Sequence, residues 1–310
     1  MDVVSSIPHS GPLNYVLVDV FAAAPFAGNQ LAVVLGGDHL STRQMQAIAR
    51  EFNLSETTFP VRRTAEDEAA GADYRVRIFT ASDELPFAGH PTLGTAWVLA
   101  LEGSIRPGSR LQACGAGLIA VDVPADPGGR VELRAVPRDH AVELSRDETV
   151  RCAASVGLRA DDIVGSALAA GCGLSWLHLR VTADAIARAR PRLSGMDDID
   201  LGSNRLRDPL VGVNVYALRD TSARSRVFVP GPSVPEDPAT GSAAVGLGIA
   251  LVASGAVAPD GETSYDIVQG VELGRPSYLF GRVAASGGVA QTCWVAGNVH
   301  PIGHGTIASP

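Results

Sequence analysis

The chain has 310 residues, of which 46% are hydrophobic, and carries a net charge of −8 with all 25 of its basic side chains being arginine. That length allows two domains of ordinary size with substantial cores, and the acidic balance argues against nucleic acid or an anionic membrane as a partner. The lack of any lysine excludes a Schiff-base lysine, hence ordinary pyridoxal phosphate chemistry, and also the lysine of a phosphate-binding Walker loop.

Along the chain, MDVVSSIPHSGPLN has no basic region followed by an apolar core, and no run reaches the roughly 18 apolar residues that span a bilayer. A cytosolic protein with a loose first dozen residues is expected. Tyr15 to Phe21 (YVLVDVF) reads as a strand by its β-branched and aromatic content. The clearest helix is STRQMQAIAREF: Ser41 and Gln44 fit a capping box, and Met45, Ile48, Ala49 and Phe52 form an i, i+3, i+4, i+7 stripe. Asn53 suits its C-terminal stop. Glu56 then falls on a polar turn entering a strand. Further strands are expected over Arg75 to Phe79, Leu118 to Val123, Val131 to Val136, Trp176 to Val181, Val211 to Leu218 and Arg226 to Val229. PADPGG, between Val123 and Val131, reads as a hairpin turn.

No G-x-G-x-x-G follows a strand, so nucleotide cofactors are not expected. The four cysteines, Cys114, Cys152, Cys172 and Cys293, are scattered without C-x-x-C or zinc spacing and read as reduced, buried thiols. Neither a metal nor a cofactor is expected; side chains must perform any chemistry.

The chain also repeats itself. His90-Pro91-Thr92-Leu93-Gly94-Thr95-Ala96 and Asp237-Pro238-Ala239-Thr240-Gly241-Ser242-Ala243 share the pattern [HD]-P-[TA]-x-G-[TS]-A, and each opens a small-residue apolar run. His90 and Asp237 before proline suit N-caps, and the apolar continuations read as helices buried all round. A buried helix needs a shell, so two strand-rich lobes are expected, each wrapped around one helix: residues 1–138 with 296–310 returning to them, and residues 139–295. If the lobes face each other, two helix N-termini aim unpaired N–H groups at one cleft, which favours a carboxylate ligand. Gly89 and Gly241 would let backbone approach that ligand, and the Ser242 hydroxyl would add a donor. An acid on a turn, a His and an Asp at matched helix starts, and glycines beside both make Glu56, His90 and Asp237 the candidate catalytic residues.

Several longer motifs, in order, carry a resemblance: YVLVDVFAAAPFAGNQLAVV, LSTRQMQAIAREFNLSETTF, RIFTASDELPFAGHPTLGTA, PEDPATGSAA, QGVELGRPS and VAGNVHPIGHGTI. From about Tyr15 to Ile307 the chain resembles the PhzF family of phenazine-biosynthesis-like isomerases. The resemblance implies an α+β, diaminopimelate epimerase-like fold: two pseudo-symmetric lobes, each a bent, mostly antiparallel sheet around a central helix, assembled as a homodimer. It places the family's catalytic Glu at Glu56, its His and Asp at His90 and Asp237, and its carboxylate-holding Gly-Ser pair at Gly241 and Ser242. The Asn of the first loop matches Asn29, although the motif commonly reads G-N-P and this chain has Gln30. The implied activity is a cofactor-independent proton shift along a conjugated small carboxylic acid. The implied substrate is trans-2,3-dihydro-3-hydroxyanthranilate or another unsaturated amino acid; a small-acid binding protein without activity is the alternative. Cofactor-free epimerases of this fold use two thiols. Here Ala88 stands where the first would precede Gly89, and the D-P-A-T-G segment has none.

Overall fold

The structure is a computed structural model that describes residues 11–191, 206–229 and 235–310; the expectation for the first dozen residues lies almost wholly outside them. The strand Leu13–Val20 is paired on both sides, antiparallel to Asn29–Val34 and to Val299–Ile307. That central position explains its apolar run, because both of its edges are satisfied by neighbours and most of its side chains are covered. It also ties the last strand of the chain to the first. Val131–Ala135 pairs with Val289–Gly297, so the described strands form one continuous, largely antiparallel sheet of 18 strands.

Among the described residues five α-helices accompany the sheet: α1 (Thr42–Phe52), α2 (Ala65–Ala69), α3 (Gly89–Leu101), α4 (Arg146–Ser155) and α5 (Gly241–Ala253). In α1 the Ser41–Gln44 capping box forms and Asn53 ends the helix with φ 51°, a left-handed geometry that asparagine tolerates. Met45, Ile48 and Ala49 are buried in a cluster with Phe59 and Phe79, and Phe52 packs against that cluster with its ring edge-on to Tyr15. The PADPGG turn joins Gly117–Val123 to Val131–Ala135 as an antiparallel hairpin. The other expected strands form within one to four residues of their expected limits.

Helices α3 and α5 are both 13 residues long, and Gly89–Leu99 and Gly241–Val252 are buried throughout. Each sits inside its own set of strands. Around α3 lie Leu13–Val20, Asn29–Val34, Glu56–Val61, Gly117–Val123 and Val131–Ala135; around α5 lie Leu168–Gly171, Ser175–Arg180, Ser277–Ser286 and Val289–Gly297. Helices of small residues allow this close embrace. At Gly94, a Cβ would lie 2.6 Å from Leu31 Cδ2 and 2.8 Å from Val20 Cγ2.

The expected N-caps are corrected by the structure. The cap of α3 is Ala88 and that of α5 is Thr240, neither with a side-chain capping bond. His90 lies inside the first turn of α3, where the missing N–H of Pro91 leaves no bond unmade. Asp237 lies before α5, in the two-residue strand Glu236–Asp237 paired with Ser222–Phe228. A residue preceding proline is disfavoured in helical geometry, and Asp237 takes the extended alternative. The repeated motif therefore aligns Gly94 with Gly241, whereas the helices themselves start at Gly89 and Gly241.

Candidate active site

The two helix tips meet. A Cβ built on Gly89 would lie 3.0 Å from Gly241 Cα and 3.1 Å from Ser242 N, and one on Gly241 would lie 3.3 Å from Gly89 Cα. Only two glycines permit backbones to come this near. The free N–H groups and dipoles of α3 and α5 thus converge on one place.

Glu56 is the first residue of Glu56–Val61, paired in parallel with Leu31 of Asn29–Val34. The stop at Asn53 and a short turn bring it there. Its side chain is 16% exposed, and Oε2 stands 3.5 Å from Nε2 of buried His90, a gap too long for a hydrogen bond. Both atoms are buried and have no partner. Buried polar atoms are normally satisfied, so this pair is matched to something other than itself.

Asn29 bridges the two halves. Its Nδ2 donates to Asp237 Oδ1 (2.8 Å) and to the Ala239 carbonyl (3.0 Å), and it stands 3.2 Å from His90 Nδ1. The two shorter contacts use both hydrogens of the amide, so the contact with Nδ1 does not set the imidazole tautomer. Asp237 Oδ2 accepts from Thr240 Oγ1. Gln269 donates from Nε2 to Thr240 Oγ1 (3.1 Å) and to the Asp237 carbonyl (2.8 Å), while its Oε1 accepts from the Thr240 N–H. Ser242 Oγ accepts from Trp176 Nε1 (3.1 Å), which leaves the hydroxyl proton free to be donated.

Burial dominates the electrostatics. It raises the Glu56 carboxyl well above the ordinary carboxylate range, and the charge of Asp237 raises it further. Asp237 is pushed up to about 6 by burial, against the hydrogen bonds from Thr240 and Asn29 that favour its ionised form. His90 is pushed down to about 3 by burial, against a backbone hydrogen bond at Gln30 that favours charge, so its imidazole is neutral. The site thus holds two carboxyls of unlike surroundings and a neutral N–H donor.

A second anchor flanks Asn29. Buried Asp19 accepts from Arg275 and from the Phe26 N–H (2.7 Å), and Arg275 also donates to the Gly28 and Ala27 carbonyls (2.8 Å each). This fixes the loop that leads into Asn29.

All seven candidate residues, Glu56, His90, Asp237, Asn29, Gly89, Gly241 and Ser242, lie in or directly around this cluster. The amide nitrogen of Asn29 is committed to protein partners. Thr240, Gln269, Trp176, Asp19 and Arg275 were not singled out. Asp19 had a signal, an acid inside an apolar strand, and Gln269 and Arg275 lie in the QGVELGRPS motif. All four cysteines are buried and free, and none belongs to the cluster. Among the described residues, no group of three or more His, Cys, Asp or Glu side chains is arranged to hold a metal ion. No helix among them is long and apolar enough to cross a membrane.

An α+β frame with two buried central helices, and carboxyl and imidazole side chains where their tips meet, is an epimerase-like fold with a candidate acid–base site. The comparisons agree at the level of class and family. A family model described as phenazine biosynthesis-like protein matches residues 18–305. The trans-2,3-dihydro-3-hydroxyanthranilate isomerase of Pseudomonas fluorescens is 34% identical over 304 residues, covering 95% of this chain and 99% of the relative. The PhzF-family phenazine biosynthesis protein of Bacillus anthracis superposes with a TM-score of 0.78 at 22% identity, covering 96% of this chain and 99% of the other. A hydroxyproline epimerase from Agrobacterium vitis shares the fold alone, with a TM-score of 0.64 at 13% identity over 96% of this chain and 92% of the other. The chain belongs to the PhzF family.

Proposed function

We propose that this chain shifts a proton along the conjugated system of a small unsaturated amino acid, with trans-2,3-dihydro-3-hydroxyanthranilate as the first candidate substrate. The observation that carries the reading is the orphaned pair, Glu56 Oε2 and His90 Nε2, buried 3.5 Å apart beside two abutting helix tips. The tips and the Ser242 hydroxyl hold the substrate carboxylate. Ionised Glu56 removes the proton from the hydroxyl-bearing ring carbon, and its raised proton affinity suits it to that work. The freed electron pair moves through the diene into the carboxylate, where the helix-tip N–H groups stabilise it. Glu56 then returns the proton to the carboxylate-bearing carbon on the same face. The double bonds move, nothing is oxidised or reduced, and the resulting enol tautomerises to an aminoketone. His90 donates its Nε2–H to the substrate hydroxyl, and Asp237 accepts from the amine.

A single carboxyl that takes and returns one proton accounts for the absence of thiols from the cluster, since stereoinversion needs a base on each face. The test is incubation in heavy water with that substrate and a panel of dienyl amino acids, read by mass spectrometry. Glu56→Gln keeps the shape and removes the base, so turnover falls by about 10² or more. Turnover near the wild-type rate in this variant refutes the assignment of Glu56. Label entering another panel member alone moves the substrate, and label entering none refutes the isomerisation.

A further inference from the structure

The polar groups behind Asp237 form a hydrogen-bonded chain whose donors point toward it. Gln269, buried at the end of strand Gly261–Gln269, presents its amide nitrogen to Thr240 Oγ1 at 3.1 Å, and its orientation is fixed by the Asp237 carbonyl at 2.8 Å and the Thr240 N–H at 3.3 Å. An amide nitrogen only donates, so it takes one lone pair of the Thr240 hydroxyl, and the acceptor in place for that hydroxyl's single proton is Asp237 Oδ2. On the other oxygen, Asn29 Nδ2 donates at 2.8 Å, and its orientation is fixed by the Ala239 carbonyl at 3.0 Å. Both oxygens of Asp237 therefore accept from donors that other partners hold in place. A protonated Asp237 would have to displace one of those donated hydrogens. Glu56 Oε2, with no partner, carries no such constraint.

We propose that Thr240 and Gln269 are positioning residues that keep Asp237 ionised, so that Glu56 is the one carboxyl of the pair free to take and return a proton. That Glu56 does so rests on the proposed function; the ionised state of Asp237 does not. The titratable groups that bear on Asp237 are Glu56, from its strand, and His90, from α3 across the Asn29 amide. Neither is a cation at neutral pH, so the two donors do what an arginine does for many buried carboxylates.

The experiment is a carbon-13 NMR titration of the Asp and Glu side-chain carboxyls in the full chain. Asp237→Asn and Glu56→Gln identify the two resonances by their loss. Thr240→Val raises the Asp237 midpoint by about one unit or more, Thr240→Ser leaves it at the wild-type value, and Gln269→Leu raises it by a smaller amount. An Asp237 midpoint unmoved in both Thr240→Val and Gln269→Leu overturns the proposal, as does a Thr240→Ser variant that behaves like Thr240→Val. Circular dichroism checks each fold; if Thr240→Val does not fold, Gln269→Leu and Thr240→Ser decide alone. The titration needs no substrate, so its failure is distinct from a failure of the isomerase reading. Where turnover is measured, the acid limb of kcat/KM moves upward with the Asp237 midpoint, whereas a purely structural role lowers the rate at every pH and leaves the limb in place.

Discussion

The meeting of the helix tips is the feature most open to a graded test, because the two glycines are unequally crowded. In Gly89→Ala the new methyl would lie 3.0 Å from Gly241 Cα, 3.1 Å from Ser242 N and 3.2 Å from Gly241 C, all backbone atoms that cannot rotate away. Ordinary contact requires about 3.4 Å or more, so the tips must separate by roughly half an ångström. Overpacking of this kind costs about 1–3 kcal/mol, offset by up to about 1 kcal/mol from the better helix propensity of alanine. The net loss, about 0–3 kcal/mol, lowers Tm by only a few degrees in a chain of this size. Catalysis is more exposed to the same shift, since displacement on the order of 1 Å can cost about 10²-fold. We expect kcat of Gly89→Ala to fall about 10- to 100-fold while Tm falls by less than about 8 °C. In Gly241→Ala the nearest atoms are Gly89 Cα at 3.3 Å and Phe21 Cζ at 3.4 Å, and a few tenths of an ångström suffices. Its kcat should fall less than about tenfold. Steady-state turnover and differential scanning fluorimetry on both variants check this. Equal loss in the two, or full activity in Gly89→Ala, would refute the view that tip contact sets the site geometry.

The raised carboxyl of Glu56 also makes a stability prediction. Its folded form binds the proton more tightly than the unfolded chain, so its contribution to stability is present below the ordinary Glu value of 4.5 and is lost as pH rises through the folded value. Glu56→Gln should therefore melt above wild type by a margin that grows from pH 4.5 toward pH 9, and a constant margin argues against a raised Glu56. The buried neutral histidines act with the opposite sign. His90 and His178, lowered to about 3 and about 4, cost stability as pH falls below 6.5, so both variants should weaken on the acid side. In Asn29→Asp a third carboxyl replaces the donor to Asp237 and the Ala239 carbonyl. Urea denaturation should show a loss of about 1–3 kcal/mol, larger at pH 8 than at pH 5 because the added acid is forced to hold a proton. Arg275→Met strands Asp19, which is 1% exposed, and should cost about 3 kcal/mol or more; combining it with Asp19→Asn should recover part of that loss. A double variant as unstable as the sum of the two singles would show the pair to be uncoupled.

Local chemistry made α1 legible from the sequence, since a capping box, a 3.6-residue stripe and an asparagine stop all act within a dozen residues. The hairpin at PADPGG and the apolar core strands were legible for the same reason. Composition disclosed α3 and α5 as helices buried all round, and the family motifs pointed to Glu56, His90 and Asp237. The helix starts were misplaced because proline constrains a local backbone equally well as a first-turn residue, at Pro91, and as a residue outside the helix, at Pro238. Which applies depends on what the helix tip must touch.

What the sequence by itself determined was the set of elements and the residues that bear protons, because both depend on side-chain type and short-range spacing. Only the tertiary structure decided how those protons are held. His90 packs against Asn29, 61 positions away in the chain; Asp237 accepts from that same Asn29, 208 positions away, and depends on Gln269 through Thr240. Hydrogen-bond direction and desolvation are properties of neighbours in space, and a sequence carries no distance between Asn29 and Asp237 until the sheet has closed around both helices.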